Sequence, residues 1–484
     1  MKRMALTALL AAGVASCPAG GFAAPSIQTL LWEATSPREV RARLLAHASA
    51  LPDSSREEQG TAFYYAGLSF ERDGVADSAI ACYEQAFQRR GQPAERDALV
   101  DALLLRSRPG DATRALASLR GPVKPVLLIS AWDQDNHVGR QSWALYLSGK
   151  TDSALALFAS AEKRLLHDLN PLSGEWRYRA GLMELEHGNP RRTIDLLIPL
   201  GVWSRLKDRD VMGMLKEAGD KLAVTPRVHD MLGRELAARD QDEQALLDAF
   251  GARRLSFTAA DGFPLGAIMV APTGATPSRA AVVLLTHDET FESYDSLCVG
   301  LRRAGYAIAF LEPRGAGRSV DASCPLPETW RGRESEMHAR TALDLRAALN
   351  ALALGTPVDT SRYLVIGGGA MAATAVEAAT LDRRIQLLLL VSPTPAPAEL
   401  GRMRSRLEAT KRPVFFQVGA EDPESLPVAE GLYRSINQRT SRLSDSERIG
   451  RGALVFRHDR AALPRLTQWL SEQWPRAKHS GPRP

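Results

Sequence analysis

Two different hydrophobic patterns divide the chain. From about residue 24 to residue 250, apolar residues recur three or four positions apart, which places them on one face of an α-helix. From residue 251 onward, short runs of apolar residues alternate with longer stretches of helical periodicity, which is typical of a parallel sheet covered by helices. We therefore predict an all-helical domain at 24–250, an α/β domain at 251–476 and a disordered tail at 477–484.

Four glycines stand at nearly even spacing in the helical region, each between two stretches of helical pattern. They are Gly74, Gly110, Gly149 and Gly188. Because glycine readily adopts the left-handed backbone that ends a helix, each is predicted to separate the two helices of a pair. Small residues, followed four positions later by large apolar ones, then recur at matching distances after each glycine, where the second helix is expected to face the first. They are Ala79, Tyr83, Ala86, Ala115, Leu119, Ala154, Phe158, Ala161, Thr193, Leu197 and Leu200.

This spacing resembles tetratricopeptide repeats, most closely between Gly60 and Pro93. The resemblance implies a stack of helix pairs. Stacked repeats commonly present an extended surface that binds another protein, so it also implies a protein or peptide partner. An irregular helical array without repeat ancestry is the alternative.

The α/β region begins with a predicted hairpin at 254–270, whose turn is Asp261-Gly262. Further strands are predicted at 281–285, 306–311, 363–366, 386–391 and 414–418. Helices are predicted at 295–304, 335–354, 370–381, 427–438 and 463–474. This alternation predicts a doubly wound, mostly parallel sheet.

Three motifs occur in order along this region: the first follows a strand, the second leads into a strand, and the third comprises a strand and the turn after it. They are Glu312–Ser319 (EPRGAGRS), 358–366 (VDTSRYLVI) and 413–423 (PVFFQVGAEDP). Together they resemble the α/β-hydrolase superfamily, particularly its esterase and dienelactone-hydrolase-like branches, over residues 255–474. The resemblance implies a catalytic triad of serine, histidine and an acidic residue at the ends of the strands.

The triad's nucleophile is absent from its expected turn. The family carries a serine in a G-x-S-x-G turn between a strand and a helix, and this chain reads Gly368-Gly369-Ala370-Met371-Ala372 there. Ala370 stands at the serine position, and a register shifted by one residue places Gly369 there instead. Neither residue has a nucleophilic atom.

The remaining catalytic positions also depart from the pattern. Arg451 stands where the family has its histidine, and an arginine cannot accept a proton from a nucleophile. Asp422 matches the triad's acidic residue. The segment 286–290 (THDET) places carboxylates where an oxyanion would need hydrogen-bond donors.

These substitutions predict an interaction protein with an inactive hydrolase domain. The alternative is an active esterase with relocated groups, in which His458 acts with Asp422, or His287 acts with Asp288 or Glu289, to activate water.

The first residues predict bacterial export. Lys2 and Arg3 precede an apolar stretch, and small residues follow at a cleavage site after residue 23, so we predict a signal peptide at 1–23 and a periplasmic or secreted protein. The segment VASC ending at Cys17 resembles a lipobox, which makes a lipoprotein anchored through Cys17 the alternative.

Composition excludes several function classes. The net charge of +5 is spread without a basic cluster, which argues against nucleic-acid binding. The nine histidines lack metal-ligand spacing and no C-x-x-C motif occurs, so we expect no metal and no cofactor. No later apolar run is long enough to span a membrane. Cys298 and Cys324 either pair in the oxidising compartment or serve as small core residues.

Overall fold

A computed structural model of the protein describes residues 26–34, 36–123, 131–167, 170, 172–272, 278–287, 289, 291–324, 326, 340–355, 358–420, 422, 424–446 and 452–474. The predicted signal peptide, Cys17, Asp288, Arg451 and the tail at 477–484 lie outside these residues. The described residues form two compact units. The helical unit comprises those within Ala19–Leu246 and Arg314–Arg340, and the sheet unit comprises those within Leu247–Pro313 and Thr341–Pro484.

Helices account for most of the helical unit. In chain order, those described are α1 Ile27–Glu33, α2 Pro37–Ala50, α3 Arg56–Arg72, α4 Ala76–Arg90, α5 Pro93–Leu105, α6 Pro109–Arg120, α7 Ala131–Leu147, α8 Thr151–Leu165, α9 Ser173–His187, α10 Pro190–Trp203, α11 Arg209–Lys221 and α12 Thr225–Phe250.

Three of the four evenly spaced glycines lie between two helices, and their own backbone angles are left-handed. The φ angles are 73° at Gly74, 77° at Gly149 and 89° at Gly188. The prediction is wrong for Gly110, which lies in the first turn of α6. Pro109 begins that helix because its fixed φ suits a first helical position, and the left-handed residue of this connection is Ser107, with φ 51°.

Close contacts between small and large residues hold the helix pairs together. A Cβ on Gly67 of α3 would lie 2.5 Å from the Tyr83 ring of α4, and a Cβ on Gly181 of α9 would lie 2.6 Å from Leu197 of α10. The residues predicted to face the first helix of each pair are all buried. Side-chain volume therefore sets how closely the paired helices approach.

A segment that follows strand β4 in the chain packs with the helical unit. Arg318 pairs with Asp240 at 3.0 Å and with Glu243 at 3.4 Å, both on α12. Leu326, only 5% exposed, belongs to a hydrophobic cluster that includes Leu232 of α12. This segment therefore belongs to the helical unit by its contacts, although it follows a strand of the sheet unit in the chain.

Eight strands form the sheet of the other unit. They are β1 Ala252–Thr258, β2 Pro264–Val270, β3 Ser278–Leu284, β4 Tyr306–Leu311, β5 Val358–Gly368, β6 Ile385–Val391, β7 Val414–Gly419 and β8 Arg442–Ser446. Their order is β1-β2-β4-β3-β5-β6-β7-β8. β2 pairs antiparallel with β1 and β4, and the pairs from β4 through β8 are parallel. The prediction of a mostly parallel sheet and that of the hairpin around Asp261-Gly262 are confirmed.

The helices of the sheet unit are α13 Asp295–Arg303, α14 Thr341–Gly355, α15 Met371–Leu381, α16 Pro397–Thr410, α17 Ser425–Arg434, α18 Val455–His458 and α19 Ala462–Gln473. β8, α16 and α18 were not predicted from the sequence. β8 reads RLSDS and lies at the edge of the sheet, so it needs no apolar run. Most of the predicted elements lie within a few residues of the observed ones. The larger differences are β5, which extends on both sides of the predicted strand, and α14, which begins at Thr341.

Candidate functional site at the carboxyl edge of the sheet

The sharp bend between β5 and α15 lies at Gly369. This residue has a φ of 51°, whereas Ala370 is exposed and has ordinary helical angles. The N–H of Gly369 donates to the Val391 carbonyl at 3.0 Å, and its own carbonyl accepts from the Thr394 N–H at 3.0 Å. Of the two registers that the sequence left open, the backbone therefore places Gly369 at the bend.

The three consecutive glycines of this turn have different surroundings. A Cβ on Gly367 would lie 2.6 Å from the Met371 carbonyl oxygen, and one on Gly368 would lie 2.7 Å from the Tyr294 hydroxyl. A Cβ on Gly369 would have one described neighbour within 4 Å, the Thr394 hydroxyl at 3.5 Å. Side chains are thus excluded at the first two positions, while the third has room but a left-handed backbone.

The Glu289 carboxylate lies over this turn. Its Oε2 accepts from the Thr286 N–H at 3.1 Å and its Oε1 accepts from the Tyr294 hydroxyl at 3.1 Å. Oε1 also lies 3.7 Å from the Cβ position of Gly368 and 3.9 Å from that of Gly452. Because Leu284 pairs with Gly367 across β3 and β5, Thr286 stands beside the bend. The Glu289 carboxylate therefore accepts from a backbone N–H of the loop after β3. In α/β hydrolases the corresponding loop supplies an oxyanion-hole donor.

Two hydroxyl residues after β6, neither of them predicted from the sequence, lie at the same edge. Ser392 is buried with a φ of 43°, its N–H donates to the Gln417 carbonyl at 2.8 Å, and its Oγ accepts from the Gly452 N–H at 3.0 Å. Thr394 lies beside Gly369, with its N–H donating to the Gly369 carbonyl. Their position directly after a buried strand could have indicated them, because binding sites of parallel sheets commonly lie at the carboxyl ends of the strands. Tyr294 was not predicted as a site residue because an aromatic side chain is typical of a hydrophobic core.

Asp422, the predicted acidic residue, caps a helix. Its Oδ1 accepts from the N–H groups of Glu424 and Ser425 at 3.2 Å each, and its Oδ2 accepts from the Ser425 hydroxyl. An aspartate that accepts N–H groups in this way stabilises the start of a helix, here α17.

The two candidate histidines lie in different surroundings. His287 is partly buried and directly follows Thr286, so it belongs to the carboxyl edge. His458 is exposed at the end of α18, where the neighbouring Arg457 pairs with Asp295 at 2.9 Å. Of the two, the structure places His287 at the edge that carries the bend.

Cys298 and Cys324 are both buried, and no disulfide joins the two. Burial raises the pKa of Cys82 and of Cys298 to about 11. Such thiols are poor nucleophiles at neutral pH because the thiolate is the reactive form.

Within the ranges given above, no three His, Cys, Asp or Glu side chains converge as metal ligands. None of the described helices has both the length and the apolar character needed to cross a membrane.

The sheet order, together with the strand–bend–helix turn at Gly369, is like that of the α/β-hydrolase fold. The chain matches none of the protein-family models with which it was compared. It is 29% identical over 133 residues to thiohydrolase apmlB of Arthrinium phaeospermum, a match that spans 27% of this chain and 40% of that protein.

Solved structures that are similar to the chain include esterases and α/β hydrolases. The Pyrococcus furiosus esterase Pf2001 has 15% identity and a TM-score of 0.38, over 46% of this chain and 91% of that one. The α/β hydrolase GrgF from Penicillium sp. sh18 has 12% identity and a TM-score of 0.37, over 46% of this chain and 98% of that one.

Proposed function

We propose that this chain is an exported protein whose sheet unit binds a ligand without hydrolysing it and whose helical unit binds a protein or peptide partner. The observation that carries the proposal is the bend at Gly369. In hydrolases of this fold the attacking oxygen belongs to the residue at that bend, and here that residue has no side chain. Losing the nucleophile of a triad typically removes about six orders of magnitude of rate.

The position of Glu289 supports the same proposal. An oxyanion is stabilised by donors aimed at developing negative charge, and the Thr286 N–H already donates to the Glu289 carboxylate. A carboxylate held at this point repels a second negative charge. The arrangement suits retention of a bound group better than its hydrolysis.

A polar groove on the helical unit supports partner binding. It has a volume of about 520 Å³ and is lined by Asp53, Arg56, Gln59, Gln85, Gln88 and Arg89. The Arg89 guanidinium donates to Gln59 at 3.0 Å and lies over the Phe63 ring at 4.8 Å, so it is held in one orientation. Amide and guanidinium groups of this kind suit the backbone of an extended peptide.

The second candidate function is hydrolysis by relocated groups. Two observations favour it: the local similarity to a thiohydrolase, and the position of His287 beside the bend and two residues before Glu289. In that case His287 acts as the base that activates water for attack on an ester or thioester.

Hydrolysis assays separate the two candidates. We expect the purified protein to hydrolyse short-chain acyl esters and acyl thioesters no faster than buffer, and His287→Ala and His458→Ala to behave like the wild type. Turnover by the wild type that disappears in His287→Ala would instead establish the second candidate. Turnover lost in His458→Ala would point to the pair with Asp422.

Partner binding and export need separate tests. We expect envelope extract to yield a protein retained by the wild type and lost by a Gln85→Ala/Gln88→Ala variant that unfolds at the same temperature. If the two retain the same proteins, the groove is not the binding surface. The mass of the mature chain distinguishes cleavage after residue 23 from a lipid-modified Cys17, and retention of the full leader in the cytoplasm would contradict export.

A further inference from the structure

We propose that the amino edge of the sheet, opposite the candidate functional site, binds a phospholipid surface that carries anionic headgroups. Five basic residues carry this inference, none of which pairs with a carboxylate in the described part of the chain. They are Arg279, Arg383, Lys411, Arg412 and Arg439, and we call them the basic row. The inference goes beyond the proposed function, because it assigns a surface that neither the ligand site nor the partner groove uses.

The parallel strands bring the basic row to one edge. Arg279 lies at the start of β3, Arg383 shortly precedes β6, Lys411 and Arg412 precede β7, and Arg439 precedes β8. The strands are neighbours in the order β3-β5-β6-β7-β8 and run parallel, so their starts lie together. Neighbouring strands are about 4.8 Å apart, which gives the row a length of about 20 Å. Because the same residues are far apart in the sequence, composition alone showed no basic cluster.

The edge is positive because its carboxylates already have partners. Four acidic residues there pair with four other arginines: Asp382 with Arg384 at 2.6 Å, Glu472 with Arg442 at 3.5 Å, Glu408 with Arg404 at 3.6 Å and Asp359 with Arg362 at 3.9 Å. Each pair is neutral in sum, so the charge of the basic row remains. Arg383, Lys411 and Arg439 are exposed. Such a row attracts the negative surface of a membrane that contains anionic lipids.

Contacts within the sheet unit hold several of these arginines in place. The guanidinium groups of Arg279 and Arg362 lie 5.6 and 5.3 Å from the ring centroid of Trp474, which is itself buried. Arg412 donates through Nη1 to the Gln386 side-chain oxygen at 3.4 Å. A side chain that is already held loses less conformational freedom on binding, so more of its interaction free energy contributes to affinity.

Two exposed leucines at the same edge favour a membrane over other polyanions. Leu354 is 91% exposed near the end of α14, and Leu381 is 47% exposed at the last position of α15. These helices lead into β5 and β6, so both leucines stand at the amino edge. A bilayer interface binds basic residues at its headgroups and apolar side chains at the acyl boundary. Nucleic acid and inorganic polyphosphate offer the leucines no such environment.

Vesicle flotation with the full chain tests the proposal. We expect the wild type to bind vesicles of phosphatidylcholine mixed with phosphatidylglycerol, and to dissociate as salt is added, because salt screens surface charge. Vesicles of phosphatidylcholine alone measure any contribution of the apolar residues near the N-terminus, which all variants share. Equal binding of the wild type to the two kinds of vesicle would overturn the proposal.

The triple variant Arg383→Gln/Lys411→Asn/Arg439→Gln removes three exposed charges of the basic row. Asparagine suits position 411, where the backbone is left-handed with φ 51°. A basic residue near an anionic membrane strengthens binding by about fivefold, so the triple variant should bind the mixed vesicles about 100-fold more weakly. If it does not fold, Arg383→Gln alone should weaken binding by about fivefold. Unchanged affinity in the folded variant would contradict the proposal.

A matched control changes the net charge equally in the helical unit. Lys207→Asn/Arg227→Gln/Arg234→Gln neutralises three exposed basic residues there and should bind the mixed vesicles like the wild type. If it binds as weakly as the variant of the basic row, net charge rather than the amino edge governs binding, and the proposed surface is wrong.

Leu354→Ala/Leu381→Ala tests whether the edge recognises a membrane. This variant should bind the mixed vesicles about tenfold more weakly, because less apolar surface enters the interface, and its salt dependence should not change. Wild-type binding to double-stranded DNA or inorganic polyphosphate without binding to vesicles would show that the edge recognises a free polyanion, and would refute the membrane assignment.

Discussion

The hydroxyl of Tyr294 lies 2.7 Å from the point that a Cβ of Gly368 would occupy. This close approach lets a buried tyrosine of one loop donate to Glu289 directly over the turn between β5 and α15. A glycine is therefore needed at position 368 for space, although its backbone does not have a positive φ. The neighbouring Gly369 is needed for the opposite reason, since its φ is 51° and its side-chain space is open.

The first prediction concerns that contact. Gly368→Ala should destabilise the sheet unit by about 1–3 kcal/mol, because the added methyl group displaces the Tyr294 hydroxyl from Glu289. Urea unfolding measures the effect. Gly213→Ala is the matched control: it lies within α11 with nothing within 4 Å of its Cβ position, so it should raise stability by up to about 1 kcal/mol. Equal stability of the two variants would contradict the described contact.

A second prediction concerns a buried ion pair in the helical unit. Arg140 of α7 donates through Nε and Nη2 to the two carboxylate oxygens of Asp101 on α5, at 2.9 and 3.1 Å, and through Nη1 to Asp97 at 3.1 Å. Asp101→Ala should cost about 3–5 kcal/mol, because it leaves a buried positive charge partly uncompensated.

The double variant Asp101→Leu/Arg140→Met tests the cause. It removes both charges and should recover most of the lost stability, since an apolar pair of similar volume avoids burying charge. A double variant as unstable as the sum of its single variants would show that the loss comes from packing rather than from the uncompensated charge.

The third prediction concerns the segment that follows β4. Leu326 packs into the cluster of α10, α11 and α12, so Leu326→Ala should destabilise the helical unit by about 2–4 kcal/mol. Amide hydrogen exchange should be faster in those helices. Leu354→Ala, at a side chain that is 91% exposed, is the control and should leave exchange unchanged. Unchanged exchange in Leu326→Ala would mean that this segment does not support the helices.

The fourth prediction concerns the thiols. Burial raises the pKa of Cys82 and of Cys298 to about 11, so at pH 8 about one thiol in a thousand is ionised. Both should resist iodoacetamide at pH 8 in the folded protein, and their reaction rates should rise about tenfold for each pH unit below pH 11. In urea at pH 8 both should react at once. Rapid alkylation in the folded state would contradict their burial.

Several features of the fold were predictable from local patterns. The Asp261-Gly262 hairpin and the buried strands have strong local signals, because a central strand must be apolar on both faces whatever its neighbours are. The α16 helix also had a readable pattern in Leu400, Met403 and Leu407, all buried at helical spacing. It was not predicted because its remaining residues are mostly charged or small, Pro395 precedes it and Pro397 begins it.

Other features depended on contacts that local pattern does not contain. β8 is a strand because β7 supplies its hydrogen-bond partners, while its own residues are mostly polar. Gly110 carries the same signal as Gly74, but the neighbouring Pro109 begins a helix there. The segment after β4 belongs to the helical unit because Arg318 and Leu326 find partners on α12.

The sequence by itself determined that no Ser, Cys, Thr or Asp stands between Gly367 and Ala373, since residue identity settles which atoms are present. It also determined the alternation that builds a parallel sheet. Tertiary structure alone decided that the bend falls at Gly369 rather than at Ala370, and that Glu289 takes the donors of Thr286 and Tyr294. The physical reason is that backbone angles at a turn, and the pairing of donors with acceptors, depend on the groups that folding brings from separate strands and loops.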